Sequence, residues 1–154
     1  MKLRKCWLLI LGVMLMGWLF GCGKPDDAGS QNGSLPEITV HVDNQVEEAD
    51  IWILPQTPET LKTTLWGTAT VGKLAAGNRQ DVRLTQTPGA DAWLVRIIDK
   101  DHRYYAAQDL TLEEGYTLLF TEEESNSNAQ LQVLDRNGTV LTAQNVFVGA
   151  LGGG

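Results

Sequence analysis

Beyond Pro36 the chain alternates apolar and polar positions with a period of two, in short runs rich in Val, Ile, Thr, Trp and Tyr and separated by turn residues. That period marks strands with one buried face. In residues 38–42, Ile38, Val40 and Val42 fall on one face and Thr39 and His41 on the other. Residues 50–54, DIWIL, are apolar on both faces and stop at Pro55, as a strand near the centre of a sheet stops at a loop. Alternation resumes over 79–85 through Val82 and Leu84, and over 92–99 with Trp93, Val95 and Ile97 opposite Leu94, Arg96 and Ile98. A return strand is expected over 104–112, and a further one over 116–121 with Tyr116, Leu118 and Phe120 pointing inward. Residues 129–135 and 139–148 flank Arg136 and the pair Asn137-Gly138, whose tolerance of positive φ predicts a hairpin closed by a type I′ turn.

About seven to eight short strands, with turn signals roughly every 8 to 12 residues and no helical period, predict an all-β fold, a single antiparallel β-sandwich over 35–149. Residues 55–77 resist the strand pattern. There Thr-Pro-Glu-Thr-Leu-Lys suits a short helix, and the segment is expected to be a long connection crossing between the sheets. Trp52 and Trp93, inside strands, read as core. Trp66, beside Gly67 in the connection, suits either a plug for the open end of the sandwich or a contact with a partner.

The first residues follow a different pattern. Lys2, Arg4 and Lys5 precede an uncharged apolar stretch from Trp7 to Phe20, shorter than the roughly 20 residues a spanning helix needs. The stretch ends in LFGC, residues 19–22, and this resembles the lipobox of bacterial lipoproteins. The resemblance implies that residues 1–21 are a signal peptide removed before Cys22. It also implies a diacylglycerol built on the Cys22 sulfur and an acylated new amino terminus. A thiolate is a good nucleophile toward a lipid donor, and several acyl chains, at about 0.8 kcal/mol per buried methylene, anchor stably where one does not. Residues 22–34 hold no large apolar side chain after the cysteine and read as a flexible tether, with a reach on the order of 20 Å. The tail, 150–154, is expected to be disordered. The expected location is the outer side of the cytoplasmic membrane. In a cell with two membranes it is the outer membrane, because Gly23 is not the aspartate that retains such proteins at the inner one.

Charge narrows the partners. Nineteen acidic residues all follow Cys22, while three of the twelve basic ones precede it, so the part from Cys22 onward carries a formal charge of −10. That disfavours nucleic acid and anionic head groups and favours basic partners. Cys6 leaves with the signal and Cys22 takes the lipid, which excludes a disulfide or thiolate metal site in the mature chain. From Ala49 to Leu112 the chain resembles a small β-sandwich module of exported bacterial proteins. The features are IWILP, LWG with KL and AAG downstream, VRL, LVRIID and QDL. In architecture it is similar to transthyretin-like sandwiches, which implies a fold and no reaction.

Reactive groups are sparse. The histidines are His41 and His102, and the four serines, Ser30, Ser34, Ser125 and Ser127, fall in the tether and a polar loop, which does not suit an oriented triad. Asp99, Asp101 and His102 form a D-x-D-H turn, read as carboxylates capping backbone N–H groups. It lacks the later glycine and glutamate of a calcium loop. Glu122, Glu123 and Glu124 end a strand as a solvated acidic run and, with Trp66, are the candidate partner contacts; no catalytic residue, metal or cofactor is expected. The expectation is therefore a non-enzymatic, lipid-anchored envelope protein acting as a binding, adaptor or structural accessory module, held to the membrane through Cys22. The alternative is a protein inhibitor of a basic envelope hydrolase such as a lysozyme. An enzyme would need a constellation the residues do not offer.

Overall fold

The structure, a computed structural model, describes residues 34–122 and 129–150. Cys22, Glu123, Glu124, the signal segment and the tail beyond Ala150 lie outside these residues. Among the described residues ten strands and one helix follow in the order β1 (Glu37–Asn44), β2 (Ala49–Pro55), α1 (Pro58–Lys62), β3 (Val71–Leu74), β4 (Asn78–Thr85), β5 (Trp93–Asp99), β6 (Arg103–Leu110), β7 (Thr117–Glu122), β8 (Ala129–Leu134), β9 (Val140–Asn145) and β10 (Phe147–Ala150). They make two five-stranded sheets, ordered β4-β1-β7-β8-β9 and β10-β6-β5-β2-β3. The fold is an all-β sandwich.

The alternation in sequence becomes the core. Ile38, Val40 and Val42 of β1, Leu118 and Phe120 of β7, and Leu131 and Val133 of β8 meet Ile51 and Ile53 of β2 and Val95 and Ile97 of β5 from the other sheet. Each such side chain contributes about 1.5–3 kcal/mol when fully buried. Tyr105 and Phe120 join the sheets edge to face, ring centroids 5.2 Å apart. Tyr116 packs part-buried against this core.

Four details differ from the pattern read in the sequence. The count is ten strands because β3 emerges inside the long connection, and because 139–148 breaks in two at Val146. Val146 donates its N–H to Ala129 O at 3.2 Å in one sheet while its carbonyl accepts from Ala106 N at 3.2 Å in the other, so the chain changes sheets there. Secondly, β1 and β7 run parallel, His41 beside Thr117 through Asn44 beside Phe120, in an otherwise antiparallel fold. A period of two assigns faces and carries no sign of direction. Thirdly, the β8–β9 turn gives positive φ only to Gly138 (φ 80), with Asp135 Oδ1 accepting from Asn137 N and Thr139 N. The register slips by one residue beside it, the pattern of a three-residue loop with a bulge and not of a type I′ pair. Lastly, Trp52 is half-buried on the outer face of its sheet, while Trp93 is in the core as expected.

Candidate functional site

Residues 56–70 do not plug an end of the sandwich. They lie against the outer face of the β10-β6-β5-β2-β3 sheet, and the crossing to the other sheet occurs only after β3. Local chemistry sets the path. Pro55 ends β2, and Thr57 caps the helix that Pro58 begins: its hydroxyl accepts from Thr60 N at 3.2 Å, while Thr60 Oγ1 accepts from Thr57 N at 2.8 Å. This is a reciprocal capping box. At the other end of α1 the carbonyls have no helical partner, and Arg96 supplies one. Its Nη1 donates to Thr63 O at 2.9 Å and its Nη2 to Thr60 O at 2.8 Å.

Arg96 projects from the outer face of β5 opposite Trp52 of β2, yet it is only 5% exposed. No carboxylate among the described residues pairs with it. The charge is met by the two carbonyls and by the face of Trp66, 4.6 Å from the guanidinium carbon to the ring centroid; Nε–H finds no protein partner. Contacts of this cation–π kind contribute about 0.5–2 kcal/mol depending on desolvation. Trp66 is stacked on Tyr104 of β6 at 5.2 Å and meets Trp52 edge-on at 5.3 Å. Its indole N–H donates to Thr63 O at 3.1 Å, and that of Trp52 donates to Gly67 O at 3.1 Å. Gly67 turns the chain at φ 67, a conformation costly to a residue with a Cβ. Thr70 Oγ1 then accepts from Ile53 N at 2.9 Å and returns the chain to the sheet as β3.

The loop so fastened holds two leucines toward water, Leu61 at 43% and Leu65 at 86% exposure. Leu65 is the neighbour of the most constrained residue of the loop. Trp66, one of the expected contacts, is therefore the fastener, and Leu65, which the sequence reading passed over, is the side chain presented. Only its place next to an aromatic in a polar stretch signalled it.

The remaining candidates lie apart from this loop. Glu122 is exposed and ends β7, in the other sheet, opposite Ala129. Asp99 caps its turn as expected and does more: Oδ1 accepts from Asp101 N (2.9 Å) and Arg103 N (2.8 Å), Oδ2 from Arg103 Nε (2.7 Å) and Tyr105 Oη (2.9 Å). Burial pushes the Asp99 carboxyl up, but the Arg103 N–H, the Tyr105 hydroxyl and the Arg103 guanidinium together hold it below the usual range. Tyr105 is pushed up to about 12 by burial and by that same carboxylate. With both oxygens taken by donors, the turn is organised as a structural brace. His41 stands on the outer face of β1 with Nδ1 2.6 Å from Asp81 Oδ1, and His102 is on the β5–β6 turn at φ 59. Among the described residues no group of three or more metal-ligating side chains converges, and no helix is long and apolar enough to cross a membrane.

What the fold and this loop define is a β-sandwich that presents an apolar residue from a braced outer-face loop. No protein family, curated protein or solved structure matches the chain.

Proposed function

We propose that the chain is a lipid-anchored protein of the bacterial envelope whose sandwich works by binding, as an adaptor or accessory module, without chemistry of its own. Membrane attachment through Cys22 is supported by the basic start, the uncharged stretch to Phe20 and LFGC at 19–22. The observation that carries the binding role is Leu65, 86% exposed beside a tryptophan held on three sides. Burying such a side chain is worth about 1.5–3 kcal/mol, and a loop already fixed loses little further entropy when a partner covers it. The acidic excess adds attraction to a basic partner, screened over about 8 Å at physiological salt.

One experiment tests both parts. The full-length chain and its Cys22→Ser and Leu65→Ser variants are expressed in a bacterial host, labelled with a fatty-acid probe and purified from membranes. The parent should carry label and bring an envelope protein with it. Cys22→Ser should lose the label and run as the longer precursor. Leu65→Ser should keep the label and the melting temperature and lose the companion. Label on Cys22→Ser removes the anchor from the proposal, and a companion retained by Leu65→Ser removes the loop.

A further inference from the structure

Where the β4–β5 loop meets the start of β1, one end of the sandwich keeps a cleft of about 420 Å³. Part of its lining is core: Trp93 and Leu112 are 7% and 5% exposed, and Pro36 and Pro88 line it with them. The lining is set before anything enters. Gln86 N donates to Pro36 O at 2.8 Å and ties the loop to β1, and Ala90 N donates to Thr87 O at 3.0 Å and closes the turn over Pro88 and Gly89. A proline followed by a glycine at φ 82 is the type II pattern. A cleft built in advance loses little entropy when it is filled.

Two polar groups at the cleft are uncommitted. Trp93 is the one tryptophan of the described residues whose indole N–H has no acceptor there, while those of Trp52 and Trp66 donate to Gly67 O and Thr63 O. The Trp93 N–H is nevertheless not sealed from solvent, and a buried indole usually finds a partner. Asp91 lines the cleft and is exposed, and its carboxylate takes part in no hydrogen bond or ion pair among the described residues. Charge here has one sign. No lysine or arginine lines the cleft, and Glu37 and Glu113, the chain neighbours of Pro36 and Leu112, are exposed and outside every ion pair of the described residues.

We propose that the cleft receives a lysine or arginine side chain of a basic protein partner. The stem covers Trp93, Leu112 and the two prolines, the cationic head meets Asp91, and the carbonyl of the same residue accepts from the Trp93 indole. Lysine and arginine are the side chains that combine an apolar stem with a cation, and the cleft offers a surface for each half. An acidic side chain would meet Asp91 with like charge, and an apolar one would desolvate that carboxylate without giving it a partner. The charge of −10 from Cys22 onward adds long-range attraction to a basic protein. The inference rests on the reading of the domain as a binding module for a basic partner; it uses neither the anchor nor Leu65.

The test is a titration of the purified full-length chain with the end-blocked peptide Ala-Lys-Ala-Lys-Ala, followed by the assigned amide and indole NMR signals. The Trp93 indole and the Gly89 and Ala90 amides should move and saturate. The same peptide carrying Nε-acetyllysine keeps the stem and the carbonyls and loses the charge, and it should bind about threefold more weakly. The lysine peptide should weaken by about as much on the Asp91→Asn chain, the scale of one exposed ion pair. Asp91→Asn should keep the parent's melting temperature, because the Asp91 carboxylate has no partner in the described fold. Leu65→Ser should bind the peptide as the parent does, which separates this cleft from the outer-face loop. No movement of the Trp93 indole, equal binding of the acetylated peptide, full binding by Asp91→Asn, or loss of binding in Leu65→Ser overturns the proposal.

Discussion

At the scale of single residues, Asp99 is committed to four hydrogen bonds through its carboxylate. It is 3% exposed, and its oxygens take donors from Asp101, Arg103 and Tyr105. Arg103 also reaches Glu47 at 3.3 Å, tying the β5–β6 turn to the β1–β2 turn. The two shifted groups give stability a defined pH dependence. The Asp99 carboxyl is lowered from 3.8, so its contribution is present above about pH 4 and is lost as the pH falls through the lowered value. Tyr105 is raised from 10.0 to about 12, so its contribution is full below pH 10 and is lost as the pH rises toward about 12. Tyr105→Phe should therefore cost about 1–2 kcal/mol at neutral pH by leaving Asp99 one donor short. It should also move the acid loss of stability to higher pH and remove the alkaline step. Thermal melts of parent and variant from pH 3 to 12 measure all three; unchanged acid and alkaline limbs would show that the bond does not form. The turn-capping half of this brace was legible in D-x-D-H, because the spacing alone brings an oxygen to the following N–H groups. The Tyr105 half was not, since it depends on how β5 and β6 are paired.

At the scale of elements, the outer-face loop was half visible. Pro55, Thr57 and Pro58 announce a strand stop and a helix start from local chemistry. DIWIL and the Leu94, Arg96, Ile98 face announce a sheet surface that something must cover. Which segment covers it is a tertiary fact, and β3 escaped because VGKL is too short to show a period. The geometry also changes the expected outcome for Trp66. As a fastener it stacks on Tyr104, meets Trp52 and faces Arg96 while remaining half-buried. Trp66→Ala should then cost about 2 kcal/mol, near the low end of a buried large-to-small change. It should also release residues 56–70 to protease while the rest of the domain stays resistant below its melting temperature. Leu65→Ser, by contrast, leaves both stability and protection intact. Identical protease patterns for Trp66→Ala and parent would show that the loop is held without its tryptophan.

At the scale of the whole molecule, the first strand of the domain is an interior strand of its sheet, between β4 and β7, and its β7 partner lies far along the chain, His41 beside Thr117. Between them the chain builds most of the second sheet and returns. The pattern of apolar residues foretold two layers of strands, because burial on alternate positions needs a second layer. It was silent on this closure, because pairing order is decided by connections and not by the period of any one strand. β1 buries Ile38, Val40, Val42 and Asn44, each 8% exposed or less. Asn44 Nδ2 also donates to Leu74 O at 2.7 Å, and its own carbonyl accepts from Gly77 N at 2.6 Å, so the end of β1 holds the passage from β3 to β4. Stability should depend sharply on where the chain is cut. The described residues, 34–122 and 129–150, fall in one compact unit, and a chain begun at Ser34 should match the full-length melting temperature and unfold in a single transition. A chain begun at Val46 lacks β1 altogether. It exposes the edges of β4 and β7, forfeits several side chains at about 1.5–3 kcal/mol each, and so exceeds the roughly 5–15 kcal/mol that a domain of this size has in reserve once the lost hydrogen bonds are included. It should show no cooperative melt and bind a hydrophobic dye at room temperature. A cooperative transition in that shorter chain would mean that the second sheet stands alone and that the parallel β1–β7 pair is dispensable.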